Sequence, residues 1–462
     1  MEALLSGRSC CLPGTSQRQE GTWTPAEDKW TQRLLTAFAQ VRTVAAPGAL
    51  QRMQDECTQA LRTQRMPTTR NEEYRFTDVS RILQSTPQPA SQSPAGLPEA
   101  VAAHKLEAAA VQLVVVDGVL NRELSRLGGL PEGVYVGSIG GAPASAAEHL
   151  GQQARTRGSP FALINGATAQ DAVCIHVPAG MEVPQAVHVL YIATGDANAV
   201  TVSCPRLLAV LEERAYLEVL EEFSGAQAEQ KYFTNAVAEF VVHQGASLVH
   251  KYVQLESNPG WHMKATLVSQ AQGSRYALTE AMVGASLARH DLGVAQLGRK
   301  TETTMRSFIL CGEGQLHDLH SKLRLHHPAG TANQLHKCIV AASSARGVFD
   351  GNVKVERAAQ QTDAGQLSRN LLLAEKATVN VKPNLQIIAD DVKCTHGCAV
   401  SDLQEDQLFY FRARGVDPKD ARRVLVYSFG AEVTQHLKHP DLMARLEAAV
   451  TQTLGDIVAA AD

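Results

Sequence analysis

Between residues 171 and 400 the chain is a succession of short apolar runs separated by small polar turns, with almost no helical period. The runs at 187–192, 207–211, 216–220, 237–242, 248–255, 265–268 and 307–311 are rich in β-branched and aliphatic residues and read as strands. Glycine-based turns punctuate them, as at Gly245-Ala246-Ser247, Gly273-Ser274 and Gly312-Glu313-Gly314. So long a run of short strands predicts a β-solenoid, each turn stacked on the one before. A sandwich is the alternative. An aromatic content of 5% favours the solenoid, whose narrow interior suits stacked Val, Leu, Ile and Ala.

Helical patterning brackets this region. Thr24-Pro25-Ala26-Glu27 is a capping box with proline at the first helical position, and Trp30, Leu34, Phe38 and Val41 follow at helical spacing. A second helical pattern covers about 49–65. Residues 84–98 hold four prolines with Gln and Ser and read as an exposed linker. After residue 400 the helical period returns. Ser401-Asp402-Leu403-Gln404 is another capping box, Gly415 supplies a stop, and Asp417-Pro418 opens a helix bearing Val424, Leu425, Tyr427, Phe429 and Val433. A third helix covers 440–462. The predicted organisation is a tail or transit-like segment (1–20), an N-terminal helical region (21–83), the linker (84–98), a mixed α/β lead-in (99–170), the β core (171–400) and a C-terminal helical region (401–462). The fold class is mainly β.

Composition narrows the chemistry. At 462 residues, 44% hydrophobic and 19% charged, the chain can bury a large core. Lys and Arg number 43 against 47 Asp and Glu, a net charge of −4 that gives no footprint for nucleic acid or an anionic membrane. No apolar run approaches the roughly 18 residues that span a bilayer. Nine scattered cysteines do not make a secreted disulfide framework and favour a reducing compartment. A phosphate loop, a Gly-x-Ser-x-Gly elbow, a dinucleotide fingerprint and His-Glu-x-x-His are all missing, so nucleotide hydrolysis by this chain itself is not expected.

The richest chemistry lies in Asp390-Asp391-Val392-Lys393-Cys394-Thr395-His396-Gly397-Cys398. In an extended segment Cys394, His396 and Cys398 point the same way, two thiols and an imidazole on one sheet face. Thiolate with imidazole suits iron or zinc. The bland reading is small buried thiols beside a hydrogen-bonded histidine. One strand cannot supply four ligands, so a neighbouring coil or another chain has to complete the shell. Asp390 and Asp391 point to opposite faces and read as turn or interface residues. A second cluster joins His317 and His320, expected to share a helix face, with His326, His327, and His336 and Cys338 on a strand face. Stacked polar residues that satisfy one another account for it.

Longer strings carry a resemblance. Gln334-Leu335-His336-Lys337-Cys338-Ile339-Val340, Phe349-Asp350-Gly351-Asn352-Val353 and Ala359-Gln360-Gln361-Thr362 resemble the D subunits of the Suf iron–sulfur cluster assembly system. So do Asn380-Val381-Lys382-Pro383-Asn384-Leu385-Gln386-Ile387, the segment 390–397 and Leu408-Phe409-Tyr410-Phe411-Arg412-Ala413-Arg414-Gly415, with weaker similarity back to Arg70-Asn71-Glu72-Glu73-Tyr74-Arg75-Phe76-Thr77. The wording is closest to plastid members, which implies the chloroplast stroma, with a bacterial cytoplasm as the alternative. The resemblance implies a right-handed parallel β-helix, pairing with a SufB-type paralogue, and docking of a SufC-type ABC ATPase on the C-terminal helices. A cysteine desulfurase system would serve the complex indirectly. It implies a transient iron–sulfur cluster at the subunit interface, iron entry through this subunit, and a ligand role for His396 beside Cys394. Cys398 departs from the family, which usually has a small apolar residue there, and is either an extra ligand or a filler of similar size. The competing functions are a purely structural interaction subunit and a β-helix carbohydrate-active enzyme.

Overall fold

The computed structural model describes residues 28–41, 48–90, 96–109, 111–196, 199–227, 230–403 and 405–459. The 1–20 tail and the capping box at 24–27 lie outside the described residues, as does Gln404 of the later box. Two sheets run the length of the molecule, and from Arg206 onward successive strands alternate between them. In each sheet the neighbours are therefore strands two apart in the chain, paired in parallel, which makes a parallel β-solenoid of about 8 turns. One sheet ends on Leu316–Leu325, Arg346–Val355 and Thr378–Ile387. The other ends on Glu302–Cys311, Thr331–Val340, Thr362–Leu372 and Val392–Ser401.

One corner keeps the turns in register. Arg214, Gly245, Gly273, Lys300, Ala329 and Gln361 all have φ between +54° and +68°. Glycine takes this conformation without cost at 245 and 273, and the other four are held by what they bond. Each donates its N–H one turn onward: Arg214 to the Gln244 carbonyl, Gly245 to Gln272, Gly273 to Arg299, Lys300 to Pro328, Ala329 to Gln360 and Gln361 to Asp391, at 2.6–3.1 Å. The last acceptor stands immediately before the strand Val392–Ser401.

Three apolar layers explain why the middle strands are buried on both faces, as parallel sheets require. The interior packs Ile175, Leu207, Leu211, Phe240, Leu278, Ile309, Leu319 and Phe349. It is less purely aliphatic than the composition suggested. Tyr191, Phe223, Tyr252 and Tyr276 are buried there, and Lys264 Nζ lies 2.8 Å from Glu221 Oε1. Outside the first sheet, Trp30, Leu34 and Phe38 of the helix Lys29–Val41 and Leu50, Met53 and Cys57 of Gly48–Leu61 cover Leu208, Phe233 and Trp261. Outside the second, Val426 and Val433 of Pro418–Thr434 and Leu442, Leu446 and Val450 of Pro440–Ala459 cover Leu220, Val253, Phe308 and Ile339. Asp417 caps the first of these, its carboxylate accepting from Lys419 N at 2.8 Å. Within the segment read as linker, Pro87–Pro89 pairs as a strand with Val200–Val202, and residues 91–95 lie outside the described residues.

The C-terminal helices are also held electrostatically. Arg445 sets Nε and Nη2 each 2.8 Å from the two oxygens of Glu222, a fully buried side chain on Tyr216–Gly225. His104 Nδ1 lies 2.7 Å from Glu222 Oε1 and His188 Nε2 3.0 Å from Oε2. His439 Nε2 lies 2.6 Å from Glu218 Oε1.

Candidate functional site

The corner ladder delivers Val392–Ser401 onto Thr362–Leu372 with Cys394 opposite Ala364, His396 opposite Gln366 and Cys398 opposite Ser368. One turn lower the same row holds Ala332, Gln334 and His336. These lower residues are buried while Asp363, Arg369, Thr331 and Asn333 are exposed, so the row faces the solenoid interior. Cys394, His396 and Cys398 thus point along one inner face at the open end. No strand pairs with the far edge of Val392–Ser401 among the described residues. Cys394 is half-buried against the interior cluster, whereas His396 and Cys398 are exposed.

Burial pushes the Cys394 thiol up, a backbone hydrogen bond at Ala364 pulls it partly back, and nearby Asp363 raises it again. Partial burial also pushes Cys398 up. Both thiols therefore hold their protons near neutral pH, and a metal has to displace them. Among the described residues, no three His, Cys, Asp or Glu side chains stand ready to hold a metal.

Behind the face the interior is polar. Gln366 is buried, its Nε2 donates to Gln334 Oε1 at 2.9 Å, and Gln334 Nε2 donates to Ser321 Oγ at 2.9 Å. Two rungs below Cys398, His336 stacks on Phe349 with centroids 4.3 Å apart, and its Nδ1 lies 2.9 Å from Ser307 Oγ. Burial drives its pKa down to about 3, so it stays neutral. On the outer side, a groove of about 500 Å³ lined by Arg306, Leu335, Leu367, Gly397 and Glu432 reaches His396.

The second cluster assembles only in part: Cys311 bonds both His317 and Cys338 in the interior, and the other histidines stay apart from them. Leu316–Leu325 is a strand, not a helix, because its backbone pairs with a strand on each side. His317 therefore faces inward, 3.2 Å from the Ala285 carbonyl, while His320 faces outward, 3.1 Å from Asp318. His336 and Cys338 do share the inner row, both buried. Two features of the site are not legible in the sequence. Gln366 and Gln334 lie 30 and 62 residues before His396, visible only once the turn lengths are known. The motif 70–77 straps the outer face of the last turns. There Arg289 sits 3.9 Å over the Tyr74 ring, Lys382 Nζ lies 2.7 Å from Glu72, and Lys322 and Asp318 bond Glu73 and Thr77.

Near the open end Ile387 and Val400 are 44% and 50% exposed, and on the C-terminal helices Phe409 and Tyr410 are 70% and 54% exposed.

The family model for the SUF system FeS cluster assembly SufBD core domain matches residues 191–429, and that for the SufBD protein N-terminal region matches 28–189. The chloroplastic protein ABCI7 of Arabidopsis thaliana is 43% identical over 399 residues, covering 85% of this chain and 84% of its own. An iron–sulfur cluster assembly SufBD family protein of Synechocystis is 35% identical, covering 84% and 87%. The iron–sulfur cluster assembly protein SufD of Escherichia coli is 29% identical, covering 89% and 94%.

Proposed function

Because the chain belongs to the SufBD family of the Suf iron–sulfur cluster assembly system, we propose that it is the non-ATPase scaffold subunit of a plastid SufBCD-type complex. It pairs through the open end of its solenoid with a SufB-type paralogue and docks a SufC-type ATPase on its C-terminal helices. The cluster is cargo, built from iron and sulfide where the two solenoids meet, with iron entering on this side. His396 is the principal ligand from this chain and Cys394 the second, while Cys398 fills space or lends a further thiol. The chloroplastic relative supports the stroma as the site of action.

The observation that carries this reading is the inner row Cys394–His396–Cys398 on an end strand whose far edge pairs with no strand among the described residues. A face that holds some ligands and leaves its backbone edge open is half of a shared site. Incomplete ligation suits a scaffold, since a cluster held by few thiolates and a histidine is easier to give away than one in a four-cysteine site. The exposed Phe409 and Tyr410 support a partner on the C-terminal helices.

Anaerobic reconstitution with the two partners tests it. His396→Ala is expected to cripple cluster formation while the three-component complex still assembles. Unchanged cluster yield in an intact complex removes the ligand role. Loss of the complex itself favours a purely structural interaction subunit.

A further inference from the structure

Gln366 is enclosed one rung below the open end, with 3% of its surface exposed, yet among the described residues its Oε1 has no hydrogen-bond partner. A buried acceptor left unpaired is costly, and each such group in a native protein calls for a reason. The other end of this amide is committed. Its Nε2 donates to Gln334 Oε1, and Gln334 Nε2 donates in turn to Ser321 Oγ. The place is kept for it by Gly351, where a Cβ would fall 2.3 Å from Gln366 Nε2 and 2.7 Å from Phe349 Cζ. With Nε2 turned down the stack, the free oxygen is left for the rung above. The residue opposite Gln366 on that rung, in the same inner row, is His396.

We infer that Gln366 is the positioning residue of His396, its Oε1 accepting the ring N–H that a metal does not use. The inference rests on the reading of His396 as a ligand. Metal-bound histidines almost always give their second N–H to an oxygen, which fixes the tautomer and the ring's orientation. The donors then run from His396 to Gln366 to Gln334, whose amide and the Ser321 hydroxyl bond each other, and along such a chain each bond polarises the next. An amide suits a donor scaffold better than a carboxylate. It orients the imidazole without adding a negative charge that would strengthen its hold on iron.

The test reads the tautomer directly. In the full-length chain with ¹⁵N-labelled histidines, the His396 ring signals, identified by their loss in His396→Ala, are expected to report one neutral tautomer. Gln366→Met fills the same volume without an acceptor and is expected to give a mixture of tautomers, while Gln366→Glu restores a single one. In the complex with both partners, Gln366→Met is expected to weaken Fe(II) binding about 10–100-fold. An unchanged tautomer and unchanged Fe(II) affinity in Gln366→Met overturn the inference even if His396→Ala cripples assembly. Should Gln366→Met fail to fold, Gln334→Met removes the group that orients the amide, and a tautomer that stays single there overturns it equally. If instead His396→Ala leaves cluster yield unchanged, the ligand reading fails, whatever the tautomer spectra report.

Discussion

Replacing Glu222 with glutamine should release the Pro440–Ala459 helix from the solenoid. The carboxylate receives four contacts, two from Arg445 at 2.8 Å, one from His104 at 2.7 Å and one from His188 at 3.0 Å. Glutamine keeps the shape but offers one acceptor oxygen, so two donors are left facing an NH₂ group. Hydrogen bonds to a charged group contribute about 1.5–3 kcal/mol each, and removing one partner of a buried ion pair costs about 3–5 kcal/mol. We therefore expect a loss of about 3–5 kcal/mol at this joint, since the Glu222 side chain is wholly buried and solvent does not screen it. A solenoid's stability is a sum of neighbour terms, so the loss should stay local. Hydrogen exchange is the assay. At tenfold per 1.4 kcal/mol, amides in 440–459 should exchange roughly two to three and a half decades faster, while those of Arg346–Val355 keep their rates. The pH dependence has a definite sign. Burial alone would push the Glu222 carboxyl up, but His104, His188 and Arg445 more than offset this and hold it well below the usual carboxylate range. Its contribution is thus complete above the unfolded carboxylate pKa of about 4.3 and fades as pH falls below it. The wild-type advantage should shrink in acid. Exchange in 440–459 that changes less than about tenfold at pH 7 would refute the clamp.

Three further outcomes are expected. Asp117, raised to about 7 by burial despite its bonds to Thr194, holds a proton when folded that it loses when unfolded, so stability should fall as pH rises from about 4 to 7. Urea midpoints across that range should show the slope, and Asp117→Asn should flatten it. Gly351→Ala pushes a methyl against Gln366 and Phe349, and an overpacked core loses about 1–3 kcal/mol, measurable by chemical denaturation. On the Pro418–Thr434 helix, a Cβ at Gly430 would lie 3.0 Å from Phe308 Cε2. Gly430→Val should therefore lift that helix and, on the proposed docking, weaken ATPase binding by calorimetry, while the far-ultraviolet spectrum keeps its β signal.

Much of the architecture is legible in the chain because a strand's period of two is a local property. The runs at 207–211 and 307–311 fall inside observed strands, and Asp417-Pro418 begins a helix where its capping chemistry says it should. The alternation at 394, 396 and 398 is equally local. Two things are not. The segment 316–320 has histidines three apart, a spacing that suggests one helix face, and only pairing with both neighbours settles it as strand. The column below His396 depends on turn lengths of 32 and 30 residues between 334, 366 and 396, which no single segment encodes. Glu222 gathers partners from positions 104, 188 and 445, a meeting that only tertiary packing brings about.

The end strand Val392–Ser401 has ten residues, one charged side chain (Lys393) and no proline. Edge strands in stable monomers are commonly blunted by charges, prolines or bulges so that they do not recruit copies of themselves. This one is left sharp. An edge proposed to take a paralogue's strand would take its own copy as readily, so supply becomes a matter of stoichiometry. Chains made in excess of their counterpart should dimerise edge to edge or precipitate, and balanced synthesis of the two subunits becomes a condition for keeping either in solution.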